Sequence, residues 1–243
     1  MAATKKYHRV LLKLSGGSLF DFNGIAQPKE ALAKIVEEIQ SIHNDKAEIV
    51  VVLGGGNICR GRDIIKSGAH RLTADNVGML ATVMNALVFK DVLENAGMQA
   101  RLYCAFSVAS MVNVFDPQRA LDDLQKGRIV ICCGGTGNPL VSTDTAASLR
   151  AIQLNVDAIF KITNVAGVYT ADPNKDEAAK LYQEISFDQV LQEGLKIMDA
   201  EAFRYCYMFK LPIHIAHYRE KNVLAGLIQG EAIGTKIHPG TEV

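Results

Sequence analysis

The sequence predicts an α/β fold, an open and mostly parallel sheet sandwiched between helices. Short β-branched runs alternate with helical stretches along most of the 243 residues. Two of those runs, Val50 to Leu53 and Ile129 to Cys133, end in glycine clusters. The chain is 49% hydrophobic and 21% charged, enough apolar material to cover both faces of a sheet.

Taken in order, Arg9 to Leu14 reads as a first strand, and Pro28 to Ile42 as a helix with Leu32, Ile35, Ile39 and Ile42 on one face. Ile49 to Leu53 is the second strand. Thr73 to Ala96 is a long helix stopped by Gly97. Its apolar residues, among them Val77, Leu80, Val83, Met84 and Leu87, spread around much of the circumference. That points to burial on more than one side, either against a second subunit or inside one large core. Gln99 to Cys104 is the third strand. Asp116-Pro117 opens a helix that Gly127 closes, and Arg128 to Cys133 is the fourth strand. Thr143 caps a helix through Leu154, and Ala158 to Lys161 is the fifth strand. Asp172-Pro173-Asn174 is a turn, and Ser186-Phe187-Asp188-Gln189 has capping-box spacing before a short helix ended by Gly194. Pro212 to Ala216 is a late strand, and the tail from Gly234 reads as a loop. The expected organisation is a single domain, residues 1–243, with two lobes sharing one sheet, about 1–155 and about 156–243.

Several function classes are set aside by composition. Twenty-six basic and 26 acidic residues balance, so no broad basic field for nucleic acid is expected. The five cysteines, with no C-x-x-C pair, fit neither a disulfide framework nor a zinc site and suit a reducing cytosol. Met1 to His8 lacks an apolar signal segment, and no uninterrupted apolar run approaches the ~20 residues of a membrane span. A cytoplasmic protein without membrane or nucleic-acid partners is expected. There is no P-loop string, Cys59 stands where G-x-G-x-x-G needs its third glycine, and neither H-R-D nor D-F-G occurs.

A phosphate site built by another route remains. Glycine clusters at strand ends, Gly54-Gly55-Gly56-Asn57 and Gly134-Gly135-Thr136-Gly137-Asn138, let backbone N–H groups turn toward phosphate oxygens. Lys13 lies before Leu14-Ser15-Gly16, Arg60 follows the first cluster, and Lys161 ends its strand before Thr163-Asn164. Cations at the carboxyl ends of parallel strands sit where such sheets bind ligands. Phosphoryl transfer needs that neutralisation, usually with Mg²⁺ shared between nucleotide oxygens. Asp144 orients a lysine or a hydrated Mg²⁺, or simply caps a helix; Asp75 carries the same ambiguity, and Asp199 reads equally as a helix cap. Asp172 would accept from a ribose hydroxyl with Tyr169 flanking a base, unless it only forms a turn. His214 and His217 fall on opposite faces of their strand, which disfavours a metal site.

In these residues the chain resembles the bacterial uridylate kinases of the amino-acid-kinase fold family. The resemblance rests on Leu11-Leu12-Lys13-Leu14-Ser15-Gly16, Gly54-Gly55-Gly56-Asn57 with Arg60-Gly61, Gly78 to Ala86, Gly135 to Pro139, Thr143 to Ala147, Gly167 to Pro173 and Leu195 to Ala200, in that order. It implies ATP-dependent phosphorylation of UMP to UDP, in pyrimidine nucleotide biosynthesis, by direct in-line transfer. The implied catalytic residues are Lys13, Lys161, Asp144 and Asp199. The implied ATP residues are Lys13, Leu14, Ser15, Gly16, Gly56, Arg60, Thr163, Asn164, Tyr169 and Asp172. UMP would be held by Gly55, Asp75, Thr136, Gly137, Asn138, Pro139, Leu140, Val141, Ser142 and Thr143. The first lobe would carry the acceptor and the second ATP, with Mg²⁺ accompanying ATP. The family also implies a homohexamer of dimers paired through the long helix, activation by GTP and inhibition by UTP. The chain departs from that family at Gly17 and Ser18, where glutamate and alanine are usual, along Leu19 to Gln27, at Ala166, in Ala105 to Phe115, and at Leu140-Val141-Ser142. A kinase of the same fold acting on a carboxylate or carbamate, and a non-enzymatic nucleotide-binding protein, are the alternatives.

Overall fold

Arg9–Leu14 (β1) alternates its side chains between two cores, Val10, Leu12 and Leu14 on one face and Leu11 on the other, all buried. A strand buried on both faces belongs at the centre of a parallel sheet. In the computed structural model, which describes residues 5–21, 27–28, 30–171, 173, 175–176 and 178–240, β1 pairs in parallel with Glu48–Leu53 (β4) and with Ala158–Thr163 (β8). The register sets Lys13 beside Lys161.

Beyond β4 lie Ile129–Cys133 (β7), Ala100–Cys104 (β5) and the two-residue Asn113–Val114 (β6), all parallel. Beyond β8 lie Ile213–His217 (β10), Thr235–His238 (β11) and Glu184–Ser186 (β9), of which β11 runs antiparallel to β10. A separate ribbon joins Phe20–Asp21 (β2) to Gln27–Pro28 (β3).

Helices Glu30–Asn44 (α2), Arg71–Asn95 (α4) and Val223–Gln229 (α9) pack on one face of the sheet through Ile35, Ile39, Phe89, Leu93 and Leu224. Pro117–Gln125 (α5), Thr143–Gln153 (α6), Phe187–Gln192 (α7) and Ala200–Met208 (α8) cover the other through Leu124, Ala151, Val190 and Phe203. Short helices Gly16–Leu19 (α1) and Gly61–Lys66 (α3) follow close behind β1 and β4. Among the described residues α4 alone has the length and composition of a membrane span, but its inner side is packed on the sheet, with Phe89 and Leu93 fully buried. It is a core helix here.

Several boundaries move from their expected places. The helix expected from Pro28 begins at Glu30, because the backbone of Gln27–Pro28 is used in the ribbon. Strand β8 runs on to Thr163, so Lys161 lies inside the strand rather than at its end. Ser142, not Thr143, caps α6; its side chain accepts from the backbone N–H of Asp144 and Thr145 at 3.0 and 3.2 Å. The tail after Gly234 is not a loop but the strand β11. Thr235 holds it, with its hydroxyl accepting from Val168 N at 2.9 Å and donating to the Tyr182 carbonyl. Other expectations hold: Asp116 caps α5 by accepting from Arg119 N at 2.8 Å, and Ser186 caps α7 from Gln189 N at 3.1 Å. Of the predicted turn Asp172-Pro173-Asn174, Asp172 and Asn174 lie outside the described residues.

The β8–β10 pair carries an aromatic cluster. Phe160 meets Tyr7 and His214 edge-on at 5.8 and 5.3 Å between centroids, and Tyr7 Oη hydrogen-bonds His214 Nε2 at 3.0 Å. Burial pushes the His214 pKa down to about 4, so this histidine is neutral and structural at ordinary pH. Phe160→Ala is expected to cost about 3–5 kcal/mol in urea unfolding, whereas Phe209→Ala, on a side chain 57% exposed, should stay within about 0.5 kcal/mol.

Candidate active site

In-register pairing of β1 with β8 places two ammonium groups side by side, an arrangement that needs a counter-charge. Asp144, in the first turn of α6, supplies it. Its Oδ1 lies 2.7 Å from Lys13 Nζ and its Oδ2 2.8 Å from Lys161 Nζ. All three side chains are largely enclosed, at 15%, 16% and 16% exposure for Lys13, Asp144 and Lys161. Lys161 also donates to the Ile197 carbonyl at 2.8 Å. Burial pushes the Asp144 carboxyl up, but the two ammonium groups outweigh it and hold its pKa below the usual carboxylate value. Burial also pulls the Lys161 pKa down, opposed by Asp144.

Asp199 stands behind this triad. It caps α8, its Oδ1 accepting from Ala202 N at 2.9 Å and from Thr145 Oγ1 at 2.7 Å, while Oδ2 accepts from Ser142 Oγ. The carboxylate therefore locks the start of α6 to the start of α8. Thr145 gets no role of its own in the sequence because its partner Asp199 lies 54 positions away, at the start of α8.

On one side of the triad lies a cavity of about 660 Å³ lined by Lys161, Thr163, Tyr169, Leu195 and Lys196. Thr163 and Tyr169 are where a nucleoside was expected; Asn164 neighbours them, its Oδ1 accepting from Thr163 Oγ1 at 3.3 Å. Asp172, expected on the ribose, lies outside the described residues. The Ile197 carbonyl and Lys196 are additions; only the string Leu195 to Ala200 hinted at them.

On the other side is a cleft of about 270 Å³ lined by Gly55, Asp75, Val141, Ser142 and Thr143, together with Gly56 and Arg60. Gly56 and Arg60, expected with the ATP phosphates, thus face the same cleft as the expected acceptor residues. Asp75 is held by Arg71, Nε to both carboxylate oxygens at 2.9 Å, and accepts from Leu140 N at 2.9 Å. That bond fixes Leu140 at φ +68°. The i,i+4 spacing of Arg71 and Asp75 was a readable signal for the pair. The intervening loop closes on itself, Gly137 N to Gly134 O at 3.1 Å and Asn138 N to Thr136 Oγ1 at 3.2 Å, and leads through Pro139 to the cleft. Gly134 cannot be replaced freely: its φ is +75° and a Cβ would lie 2.6 Å from Cys104 Sγ.

Leu14, Ser15 and Gly16 follow Lys13 directly, with Leu14 O accepting from Gly54 N at 3.1 Å, so the two strand-end loops touch. Residues 8–217 match the Amino acid kinase family. The chain belongs to that family. A uridylate kinase from Methylococcus capsulatus is 40% identical over 234 residues, covering 96% of this chain and 98% of that one. The UMP kinase structure from Bacillus anthracis superposes with a TM-score of 0.92 at 35% identity, covering 98% of both chains. That from Ureaplasma parvum gives 0.88 at 27% identity, covering 95% of this chain and 98% of the other. Amino acid kinase family membership thus agrees with the nine-stranded, mostly parallel sheet and with both strand-end loops.

The depressed Asp144 pKa makes its ion pairs a stability contribution present above the ordinary carboxylate pKa and lost as pH falls through the folded value. Asp144→Asn should lower stability at pH 7 by about 3 kcal/mol, leaving two enclosed lysines uncompensated. The gap between variant and wild-type melting temperatures should close as pH drops below about 3.9.

Proposed function

We propose that this amino acid kinase family member is a uridylate kinase, transferring the γ-phosphoryl group of ATP to the phosphate of UMP to give ADP and UDP in pyrimidine nucleotide biosynthesis. The observation that carries this reading is the Lys13–Asp144–Lys161 bridge at the junction of the two clefts. Lys161 lines the larger cavity, and Thr143, adjoining Asp144, lines the smaller. The named relatives above are uridylate or UMP kinases along essentially their whole length, which supports the same acceptor.

In this reading the ATP nucleoside occupies the cavity lined by Thr163 and Tyr169, with Asn164 beside them, its phosphates running over Leu14 to Gly16 toward Lys13; Asp172 is kept as the candidate ribose contact from the sequence alone. UMP occupies the cleft between Asp75 and the loop Thr136 to Thr143, with Gly55 beneath its phosphate and Gly56 next to it on the side of the ATP phosphates. Arg60 lines that cleft and offers a guanidinium to an anionic acceptor, while Arg71 is engaged with Asp75 at its wall. Lys13 and Lys161 neutralise the charge that spreads over the moving phosphoryl group, and Asp144 keeps both ammonium groups in place. The attacking UMP oxygen is already anionic, so no strong general base is required. Asp199 acts through the Ser142 and Thr145 hydroxyls to fix the α6 terminus that carries Asp144.

Magnesium fits as a companion of the nucleotide. No cluster of three or more His, Cys, Asp or Glu among the described residues forms a protein cage, and Asp144 Oδ1 is buried against Lys13 Nζ at 2.7 Å, so the ion would be carried on the nucleotide phosphates beside this carboxylate. Bound there on the phosphates, Mg²⁺ would supply further neutralisation of their charge. The proposal extends to two lobes meeting at the β1–β8 seam, acceptor side about 1–155 and ATP side about 156–243. It also extends to a cytoplasmic homohexamer whose dimers pair through the exposed Val77, Leu80 and Met84 of α4, with GTP as activator and UTP as inhibitor.

ADP release measured with Mg-ATP against UMP, CMP, AMP, acetylglutamate and aspartate tests the reading. Turnover should be confined to UMP, and Lys13→Ala should reduce kcat by about 10²-fold or more. Turnover on a carboxylate instead, or a loss of only a few-fold in Lys13→Ala, would overturn it.

A further inference from the structure

The long helix α4 turns two polar side chains inward, three residues apart on one face, against an otherwise apolar sheet surface. Asn85 is fully buried and Thr82 is 4% exposed. Buried polar groups need partners, and theirs are loop groups rather than core. Asn85 Nδ2 commits both hydrogens, to Gly54 O at 2.7 Å and to Asn57 Oδ1 at 2.7 Å. Its Oδ1 accepts in return from Asn57 Nδ2 at 3.1 Å. Thr82 Oγ1 donates to Met79 O at 2.7 Å, which orients its lone pair to accept from Gly134 N at 2.8 Å.

Each residue therefore grips a different glycine loop. The Asn85–Asn57–Gly54 cluster forms the floor on which Gly16 rests. A Cβ at Gly16 would stand 2.2 Å from Gly54 O, 2.4 Å from Asn57 Oδ1 and 2.6 Å from Asn85 Nδ2. No side chain fits between them, so the height of the first phosphate loop is set by that floor. Thr82 anchors the first residue of the loop Gly134 to Asn138 that leads into the acceptor cleft.

We infer that Asn85 and Thr82 are positioning residues for the two substrates separately, Asn85 for the ATP-phosphate loop and Thr82 for the UMP loop. The inference rests on the uridylate kinase reading for the identity of the two ligands. A residue that merely stabilised the fold would affect both ligands alike; these two should affect them in a crossed pattern.

Calorimetric Kd values for ATP and for UMP, taken separately, with KM, kcat and melting temperature alongside, test this on Asn85→Leu, Thr82→Val and Thr82→Ser. Leu is near in size to Asn but lacks the donors, and leaves Gly54 O and the Asn57 amide unpaired. It should weaken ATP about tenfold and UMP, which it reaches only through Gly55 of the same loop, by no more than about threefold. Thr82→Val, which removes the acceptor of Gly134 N, should do the reverse, and Thr82→Ser should restore UMP affinity. Asn57→Ala, which strips Asn85 of its reciprocal partner without touching the helix, should reproduce the ATP effect if Asn85→Leu does not fold. Equal weakening of both ligands, no change beyond a lower melting temperature, or no rescue by Thr82→Ser would overturn the inference. A wild type that binds ATP but does not phosphorylate UMP would overturn the proposed function instead, with the ATP arm still deciding the role of Asn85.

Discussion

Two lysines on neighbouring strands, brought side by side by the register of β1 and β8, are the constraint around which this site is built. Backbone hydrogen bonding dictates that adjacency, and like charges in a largely enclosed place would oppose it. A single carboxylate resolves the conflict because it has two oxygens, one for each ammonium group. The cost of enclosing three charges is considerable, and such clusters are seldom retained for stability alone. What they provide is a fixed, largely enclosed positive field where the two clefts approach each other. That is the environment in which charge on a transferring phosphoryl group is best stabilised.

The position of Asp144 is itself secured at a distance. Ser142 caps the helix that carries it, and Asp199 holds Ser142 and Thr145 while capping α8. The question whether Asp199 is a helix cap or a site residue therefore has one geometric answer covering both: it is a cap whose second partners are the start of α6. The Asp199 carboxyl shows the same balance, burial pushing its pKa up and the hydrogen bonds from Ser142, Ala202 N and Thr145 bringing it below the usual value.

Local signals made much of this legible in the sequence. Strands β1, β4, β5 and β7 announced themselves as apolar runs, and caps such as Asp116 and Ser186 by residue type and spacing. Lys13, Lys161 and the glycine clusters pointed to the site because their chemistry is written in single residues. What escaped was whatever depends on distant partners. Four residues, Thr235 to His238, are too short to show a period, and they become a strand by pairing between β10 and β9, with Thr235 tying in Val168 and Tyr182. Arg60, which the resemblance implies for the ATP phosphates, lines one cleft with Asp75 and Thr143, a neighbourhood that adjacency to a glycine cluster in sequence does not show. The apolar residues around α4 suggested burial on two sides, but nothing in periodicity marks Asn85 and Thr82 as loop anchors, since a buried asparagine in a helix reads as an anomaly until its partner is known.

The same helix connects the site to the surface. Its inner face holds Gly54 and Gly134 through Asn85 and Thr82, while Leu80 and Met84 on the outer face are about half exposed. Residues 82 and 84, or 84 and 85, are neighbours along a rigid rod, so a small displacement of the outer face moves the loop anchors with it. Both loops hang from one element, whereas the lysine bridge hangs from the sheet. A shift of α4 relative to the sheet would consequently change the distance of both glycine loops from Lys13 and Lys161 together. The glycine loops are thus held by α4 and the two lysines by the sheet, and the packing of α4 on the sheet is where they are brought into register.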